Sequence, residues 1–264
     1  MDHAPVAIRR FHVTDLSDFR VRVEGEEARH ALRVLRLSVG DSVVLFDGAG
    51  AEAHGRIVTI GRDEFEAEVL DRRSRPVAQD CILILAVSPP KGERADWMIE
   101  KCAELGVSEL IPLACERSQV RPGSGKLERW RRKVIAAAKQ SQQITAMQIH
   151  EVRPLNDLTA HFAAHALVLY GDTTATGSPL VELLKESGIL SSQPSERRRV
   201  LLLIGPEGGF TDHERKALAS SGGRAFRLAE SVLRTETAAI AAAAIWATSM
   251  LVKSSSGLTR SSQE

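Results

Sequence analysis

The stretch that decides the fold class reads Leu201-Leu-Leu-Ile-Gly-Pro-Glu-Gly-Gly-Phe-Thr-Asp-His-Glu214. Its leading apolar run is typical of a strand that is buried on both faces of a parallel sheet. Thr211 and Glu214 have the spacing of a capping box, which predicts that a helix begins directly after the loop. The glycines let backbone N–H groups approach a ligand closely at the carboxyl end of the strand, so this loop predicts a small-molecule site.

A second loop of this kind lies further along the chain. It reads Leu228-Ala-Glu-Ser-Val-Leu-Arg-Thr-Glu-Thr-Ala238 and opens the last helix. Two such loops leading into two successive helices predict one pocket that is built from both.

The first part of the chain, residues 1–72, is rich in short strand patterns. One helical pattern, at residues 26–36, lies among runs with strand character at 19–23, 42–46, 55–60 and 64–69. Short strands with one small helix predict a compact β-barrel. The run Gly48-Ala-Gly-Ala-Glu-Ala53 fits a dinucleotide-binding pattern, but a strand follows it where that pattern requires a helix, so a hairpin turn is favoured.

The second part of the chain alternates between strands and helices. Residues 73–80 are predicted to be a linker, and the alternation then continues to residue 253. Residues 91–105 carry apolar side chains at helical spacing, and Gly106 suits the C-terminal cap of that helix. The alternation predicts a parallel α/β sheet with helices on both faces. Residues 254–264 are rich in serine and are predicted to form a flexible tail.

Composition limits the class of protein. At 264 residues with 43% hydrophobic content, the chain can hold one large domain or two ordinary ones with packed cores. The formal net charge is +1, with a balance of −3 over residues 1–80 and +4 over the rest. Any contact with RNA therefore depends on local patches and not on a global positive field.

Cysteine use and hydropathy indicate the compartment. Cys81, Cys102 and Cys115 are odd in number and widely spaced, so neither a disulfide framework nor a zinc site is predicted. The N-terminus has no secretory signal pattern. The apolar run at 238–247 is shorter than the roughly 18 residues that a membrane span needs. A reduced cytoplasmic protein without a bound metal is predicted.

The assembled motifs resemble those of the RsmE family of 16S ribosomal RNA uridine-N3 methyltransferases, within the SPOUT superfamily. They run in order over nearly the whole chain, and the last two are specific. The matching pieces are Leu32-Arg-Val-Leu-Arg36, Gly40-Asp41, Phe46-Asp-Gly48, Lys91-Gly92, Lys101-Cys-Ala-Glu-Leu-Gly-Val107, Glu116-Arg-Ser118, Gln140-Ser141, Gly205-Pro-Glu-Gly-Gly-Phe210 and Leu233-Arg-Thr-Glu-Thr-Ala238.

The resemblance implies a fold and a chemistry. It implies a PUA-like RNA-binding β-barrel over residues 1–72 and a SPOUT methyltransferase domain over 81–253, with a deep trefoil knot around the parallel sheet. It also implies a homodimer, S-adenosylmethionine as methyl donor, and 16S ribosomal RNA or the small ribosomal subunit as partner. The chain departs from the usual family pattern at Lys139, Gln143, Ala229 and Ser231.

The implied knot would bring loops 205–210 and 228–238 together around the cofactor. An apolar slot for adenine and backbone donors for the carboxylate are then expected from both loops. The residues expected to bind the cofactor are Leu203, Gly205, Pro206, Glu207, Gly208, Gly209, Leu228, Ala229, Val232, Leu233, Thr237 and Ala238.

The implied chemistry requires two kinds of catalytic group. N3 of uracil carries a proton and is a poor nucleophile until that proton leaves. An arginine near the uracil oxygens would stabilise the developing anion, and a carboxylate would accept the proton. Arg234 is the expected stabiliser, and Glu236 or Glu207 is the expected acceptor. Structural explanations stay open, because the first turn of a helix favours Glu236 in any case and Glu207 can cap its own loop.

The RNA contacts are expected from arginines. The spacings of three and four in the helical pattern predict one basic face, which either binds phosphate or only faces solvent. The candidates on that face are Arg29, Arg33 and Arg36, with His30 beside them. Further candidates are Arg9, Arg10, Arg117 and Arg121.

Three hypotheses of function follow. The first is methylation of uridine N3 in small-subunit ribosomal RNA with S-adenosylmethionine. The second keeps this donor but moves the methyl group to another RNA position, such as a ribose 2′-hydroxyl. The third is an RNA-binding module whose site has lost activity. A P-loop nucleotide hydrolase is excluded, because no Gly-Lys-Ser/Thr follows a glycine-rich loop.

Overall fold

The computed structural model describes residues 9–74, 81–162, 166–172, 177–190 and 198–258. These residues form two compact units. The first unit contains residues 9–74 together with 138–146, and the second contains the remaining described residues. The two units are described separately below.

The first unit consists of a five-stranded sheet and a short helical segment. Its elements are β1 Arg9–His12, β2 Arg20–Glu24, α1 Gly25–Arg29, a π-helical turn His30–Val34, β3 Ser42–Phe46, β4 Ala51–Ile60 and β5 Glu64–Ser74. The strand order is β1-β3-β4-β5-β2, in which β1 and β3 are parallel and the other pairs are antiparallel.

Alternating side chains explain the core of this sheet. Residues of β2 alternate between exposed and buried, and the apolar members Val21 and Val23 face a core that also contains Phe11 and Phe65. The pairing of β4 with β5 shifts register at two places, and such bulges increase the bend and twist of a sheet. The result is a curled sheet that packs around one apolar cluster.

The glycine-rich run after β3 forms a hairpin turn, as predicted. Asp47 Oδ1 accepts hydrogen bonds from the backbone N–H groups of Ala49, Gly50 and Ala51, at 2.7, 3.0 and 2.9 Å. Gly48 and Gly50 have φ values of 70° and 117°, in the region that favours glycine. β4 then begins at once, so the dinucleotide-binding pattern has no structural counterpart here.

The helical segment differs from the prediction. A continuous helix over 26–36 was expected, but α1 has five residues and is followed by the π-helical turn. Arg36 lies beyond both, with φ of 55°. The spacing of three and four residues therefore does not place Arg29, Arg33 and Arg36 on one regular helix face.

A second chain segment completes the first unit. Lys139 Nζ donates to both carboxylate oxygens of Glu27, at 2.9 and 2.7 Å, and the backbone N–H of Ala146 donates to the carbonyl of Gly48 at 2.8 Å. Arg10 donates to the Gln143 carbonyl at 2.9 Å. A domain boundary at residue 72 therefore does not contain the whole unit, since residues 138–146 return to it.

The predicted linker is shorter than expected at its start. Arg73 and Ser74 still belong to β5, where they pair with Glu52 and Ala51 of β4. Residues 75–80 lie outside the described residues.

The second unit is built on a parallel sheet with helices. Its elements are β6 Cys81–Val87, α2 Glu93–Glu104, β7 Glu109–Ala114, α3 Ser124–Gln140, β8 Gln148–Ile149, β9 Arg153–Pro154, α4 Leu155–Phe162, β10 Leu167–Gly171, β11 Ser178–Pro179, α5 Leu180–Glu186, β12 Arg198–Ile204, α6 Asp212–Ser220, β13 Arg224–Arg227 and α7 Thr235–Leu258. The last three residues of α3 belong to the first unit.

The parallel sheet confirms the prediction from the apolar runs. The strand order is β11-β13-β10-β12-β6-β7-β8, and β9 pairs with β7. Each of these pairings is parallel. The central strands β6 and β12 have fully buried residues on both faces, such as Leu83, Ile84, Leu201 and Leu202. This burial is the reason for their continuous apolar sequences.

The last helix is longer than the sequence indicated. α7 continues to Leu258, so residues 254–258 have a helical backbone; residues 259–264 lie outside the described part of the chain. Within it, Thr235–Lys253 has the length and mean hydropathy, 1.3, of a candidate membrane span, which is longer than the apolar run at 238–247. A core helix meets the same criterion. α7 packs against α2 and α5, and its buried residues recur at helical spacing: Ala239, Ala242, Ala243 and Trp246.

Candidate active site

Three neighbouring strand ends define the site. β13, β10 and β12 are adjacent and parallel, so their carboxyl ends lie at the same edge of the sheet. The three strands end at Arg227, Gly171 and Ile204. In open α/β sheets, ligands bind at this edge.

The segments after these strands enclose one cavity of about 500 Å³. The prediction of a single pocket built from both loops is therefore confirmed. The cavity is lined by Gly171, Asp172, Ile204, Gly205, Pro206, Glu207, Gly208, Gly209, Arg215, Phe226, Arg227, Leu228, Ala229, Glu230, Ser231, Val232, Leu233, Thr235 and Ala238.

Two of the predicted cofactor-binding residues do not line the cavity. Leu203 is fully buried, and its side chain belongs to the core cluster that contains Ile84, Tyr170 and Phe210. Thr237 is exposed on α7. Since neighbouring residues of a strand or helix point in different directions, a motif that is continuous in sequence places only some of its side chains at the pocket.

The first loop is held by backbone and side-chain hydrogen bonds. Gly209 N–H donates to the Pro206 carbonyl at 2.8 Å, and Gly209 has a φ of 65°. The predicted capping box is present: Glu214 N–H donates to Thr211 Oγ1 at 3.2 Å, and Thr211 N–H donates to Glu214 Oε2 at 2.8 Å. These bonds fix both the turn and the start of α6.

The segment after β7 supports this loop from outside. Arg117 Nη1 donates to the Gly208 carbonyl at 2.6 Å. The backbone N–H of Glu116 donates to Glu214 Oε1 at 2.9 Å. The buried Glu214 carboxylate therefore accepts hydrogen bonds from the backbone of both Glu116 and Thr211. Glu116 and Arg117 belong to the Glu116-Arg-Ser118 motif.

The second loop is joined to the first at the start of α7. Thr235 Oγ1 donates to the Gly205 carbonyl at 3.4 Å, and Ala238 N–H donates to the Arg234 carbonyl at 2.8 Å. Val232 is 77% exposed, which leaves an apolar side chain at the cavity mouth.

Sequence reasoning missed a charged part of the lining. Asp172 and Arg215 both line the cavity, and the Arg215 Nε atom lies 4.0 Å from Asp172 Oδ2. Arg215 also donates to the Phe210 carbonyl at 2.6 Å. Asp172 directly follows β10, so it lies at the carboxyl edge of the sheet, where ligands bind in open α/β sheets. Burial, and secondly the charge of Asp172, raise the pKa of the Tyr170 hydroxyl beside it.

The chain is similar to known RNA methyltransferases. The profile of the RNA methyltransferase domain matches residues 78–247, and that of the RNA methyltransferase PUA domain matches residues 23–70. The ribosomal RNA small subunit methyltransferase E of Mycobacterium bovis is 30% identical over 226 residues, which are 83% of each chain. The chain belongs to this methyltransferase family. The enzyme of the same name from Bacillus subtilis is 29% identical over 82% of this chain and 85% of that protein.

Solved structures agree with this membership. The small subunit methyltransferase E of Neisseria gonorrhoeae, bound to S-adenosyl methionine, has a TM-score of 0.79 and 28% identity, over 91% of this chain and 97% of that chain. A putative methyltransferase from Legionella pneumophila, in complex with the same cofactor, has a TM-score of 0.77 and 26% identity over the same shares. The domain profile spans both loops of the cavity described above.

The structure separates the catalytic candidates of this RNA methyltransferase. Glu207 lines the cavity, and its side chain is 35% exposed. Arg234 is exposed but does not line the cavity. Glu236 is buried, with 6% of its side chain exposed, and also does not line it. Sequence reasoning missed Arg94, whose guanidinium lies near both carboxylates.

The arginines that were predicted to bind RNA differ in exposure and in their contacts. Arg10 forms an ion pair with Glu52 and lies over the Phe46 ring at 4.9 Å, with 13% of its side chain exposed, so it belongs to the packing of its unit. Arg33 pairs with Asp63 at 2.6 Å but stays exposed, and Arg117 supports the Gly208 loop. The other candidates are exposed: Arg9, Arg29, Arg36 and Arg121.

Proposed function

We propose that this methyltransferase transfers the methyl group of S-adenosylmethionine to N3 of a uridine in small-subunit ribosomal RNA, the 16S RNA of bacteria. One observation carries the proposal. The glycine-rich loop 205–210 and the loop 228–238, which are separate in sequence, line a single cavity at the carboxyl edge of a parallel sheet. Its volume of about 500 Å³ lies in the range of cofactor sites.

The residues around the cavity fit this cofactor. Apolar walls for an adenine ring are provided by Ile204, Phe226, Leu228 and Leu233. Three of the residues 205–209 are glycines, so the backbone there can approach the cofactor closely. Acidic side chains in the lining suit a sulfonium and an ammonium group. When bound, the cofactor supplies an electrophilic methyl group, so the chain's own residues need only orient the RNA base and manage its proton.

Among the carboxylates, Glu207 is the proposed proton acceptor. A base must come within hydrogen-bond reach of the proton that it removes. Glu207 lines the cavity, whereas Glu236 is buried and does not line it, which favours Glu207 over Glu236 as the group that meets a uracil ring. As the N3–H proton moves to Glu207, the negative charge on the uracil oxygens grows, and the exposed Arg234 is the proposed cation that stabilises it.

The proposal also covers the role of the first unit, the topology of the second unit, the oligomeric state and the location. The first unit would hold RNA as a PUA-like domain through the exposed arginines Arg29, Arg33 and Arg36. The second unit would contain a deep trefoil knot around the parallel sheet. A homodimer and a cytoplasmic location complete the proposal; the buried thiols of Cys81, Cys102 and Cys115 suit a reducing compartment.

Methyl transfer with base mapping tests the proposal. The protein is incubated with methyl-labelled S-adenosylmethionine and either small subunits or free 16S RNA from cells that lack this modification, and the labelled nucleoside is identified by mass spectrometry. Label on uracil N3 supports the proposal, and the Glu207→Gln variant should lose most of the transfer. Label on a ribose would instead support another RNA position as target. Cofactor binding without any transfer would indicate an inactive RNA-binding protein.

A further inference from the structure

Arg94 lies between two carboxylates that come from different parts of the second unit. Its Nη1 atom is 3.5 Å from Glu236 Oε1 at the start of α7, and its Nη2 atom is 3.8 Å from Glu207 Oε1 in the first cavity loop. One guanidinium therefore connects the loop after β12 with the helix that follows the second loop.

The Glu236 carboxylate is buried and only partly hydrogen-bonded. Its residue surface is 5% exposed, and among the described residues its Oε2 atom has no hydrogen-bond partner. Burying a carboxylate is costly unless a cation or donors compensate it. The first turn of α7 supplies part of that compensation, and Arg94 supplies the nearby positive charge.

The position of Arg94 on its own helix points to a role outside that helix. It is the second residue of α2, where the helix macrodipole disfavours a cation. α2 is itself held firmly, because the buried Asp96 accepts a 2.8 Å hydrogen bond from Trp130 Nε1 of α3. A rigid helix thus presents an arginine to two carboxylates, while 43% of the arginine side chain stays exposed.

We propose that Arg94 is a positioning residue, which uses Glu236 as its buried anchor to hold the Glu207 carboxylate at the cavity. This assignment rests on the proposed function, in which Glu207 accepts the uracil proton. It removes Glu236 from the list of proton acceptors, since a carboxylate that is buried against Arg94 does not meet the substrate. A planar guanidinium suits this bridging role because it offers several donors in fixed directions.

Two paired variants separate positioning from simple charge compensation. Arg94→Met leaves Glu236 buried without its cation, so the Tm falls. Adding Glu236→Gln removes that buried charge, and the Tm recovers in the double variant. If Arg94 positions Glu207, the double variant keeps a kcat that is lower than wild type by about tenfold or more, with the KM for the cofactor little changed. Arg94→Lys should retain part of the activity.

The control is Arg224→Met, which removes another half-exposed arginine of the second unit from its ion pair with Glu186. It should leave kcat unchanged. Recovery of kcat together with the Tm in the double variant would overturn the proposal, because Arg94 would then only neutralise Glu236. Unchanged kcat in Arg94→Met would overturn it as well. Absence of methyl transfer by the wild-type protein would contradict the proposed function itself and is distinguished from both outcomes.

Discussion

Arg117 donates a 2.6 Å hydrogen bond from its guanidinium to the carbonyl oxygen of Gly208. The contact is close-packed as well as polar, because a Cβ atom on Gly208 would lie 3.2 Å from Arg117 Cδ. RNA binding by Arg117 stays a prediction, and in the structure its guanidinium supports the loop that lines the cavity. A supporting residue of this kind affects ligand binding through the loop conformation.

Substitution of Arg117 should weaken cofactor binding. Arg117→Ala removes the donor to the Gly208 carbonyl, and an exposed hydrogen bond of this type contributes about 1 kcal/mol, which corresponds to roughly a fivefold rise in Kd. Isothermal titration calorimetry with S-adenosylmethionine measures this change. Arg121→Ala, at an exposed position nearby in sequence, is the control and should leave Kd unaltered. Equal affinities for the two variants would contradict the supporting role.

Gly209 should be intolerant of a side chain for a backbone reason alone. Its φ is 65°, and the space around an added Cβ is open within 4 Å. Gly209→Ala should therefore destabilise the protein by about 1 kcal/mol, because L-residues disfavour this conformation. Gly125→Ala in α3, where the space is also open and φ is ordinary, should be neutral or stabilising. Denaturant unfolding of both variants gives the comparison, and equal stabilities would refute the strain argument.

The Lys139–Glu27 pair should contribute to the stability of the first unit. The side chains are 23% and 27% exposed, and Lys139 reaches both carboxylate oxygens. Lys139→Glu should cost about 1 kcal/mol, and the exchanged pair Glu27→Lys with Lys139→Glu should recover most of it. The more exposed Arg73–Asp71 pair is the control, and its exchange should change little. Additive effects of the two Glu27 and Lys139 substitutions would show that the pair does not interact.

Glu109 should make the stability depend on pH. A hydrogen bond with His150 at 2.9 Å, followed by the charge of Arg199, lowers the pKa of the Glu109 carboxyl below its ordinary value of 4.5. A lowered folded-state pKa contributes stability that is present above pH 4.5 and is lost as pH falls through the folded-state value. The stability difference between wild type and Glu109→Gln should shrink on acidification in urea unfolding experiments. A difference that stays constant from neutral to acidic pH would contradict this linkage.

Local sequence patterns predicted most elements of the second unit, because strand burial and helix capping leave signals within a few neighbouring residues. The continuous apolar run ending at Ile204 requires burial on both faces, and the capping box at Thr211 and Glu214 fixes where α6 begins. Parallel strands then place their carboxyl ends together, so the cavity could be anticipated from two loop sequences. The direction of individual side chains could not be anticipated, and for this reason Leu203 and Thr237, which were expected at the pocket, do not line it.

The features that sequence reasoning missed depend on long-range contacts. The return of residues 138–146 to the first unit leaves no mark in local periodicity, since their partners, such as Glu27 and Gly48, lie far away in the chain. Arg94 was missed for the same reason, because only tertiary packing brings it to Glu207 and Glu236. The π-helical turn after α1 likewise has no simple sequence signature.

Hydrogen–deuterium exchange tests the central claim most directly, namely that two loops distant in sequence form one cofactor site. Addition of S-adenosylmethionine should slow amide exchange in both segments together, at residues 205–209 and at 228–233, over the same range of cofactor concentration. Protection of only one segment, or of neither, would contradict a shared site.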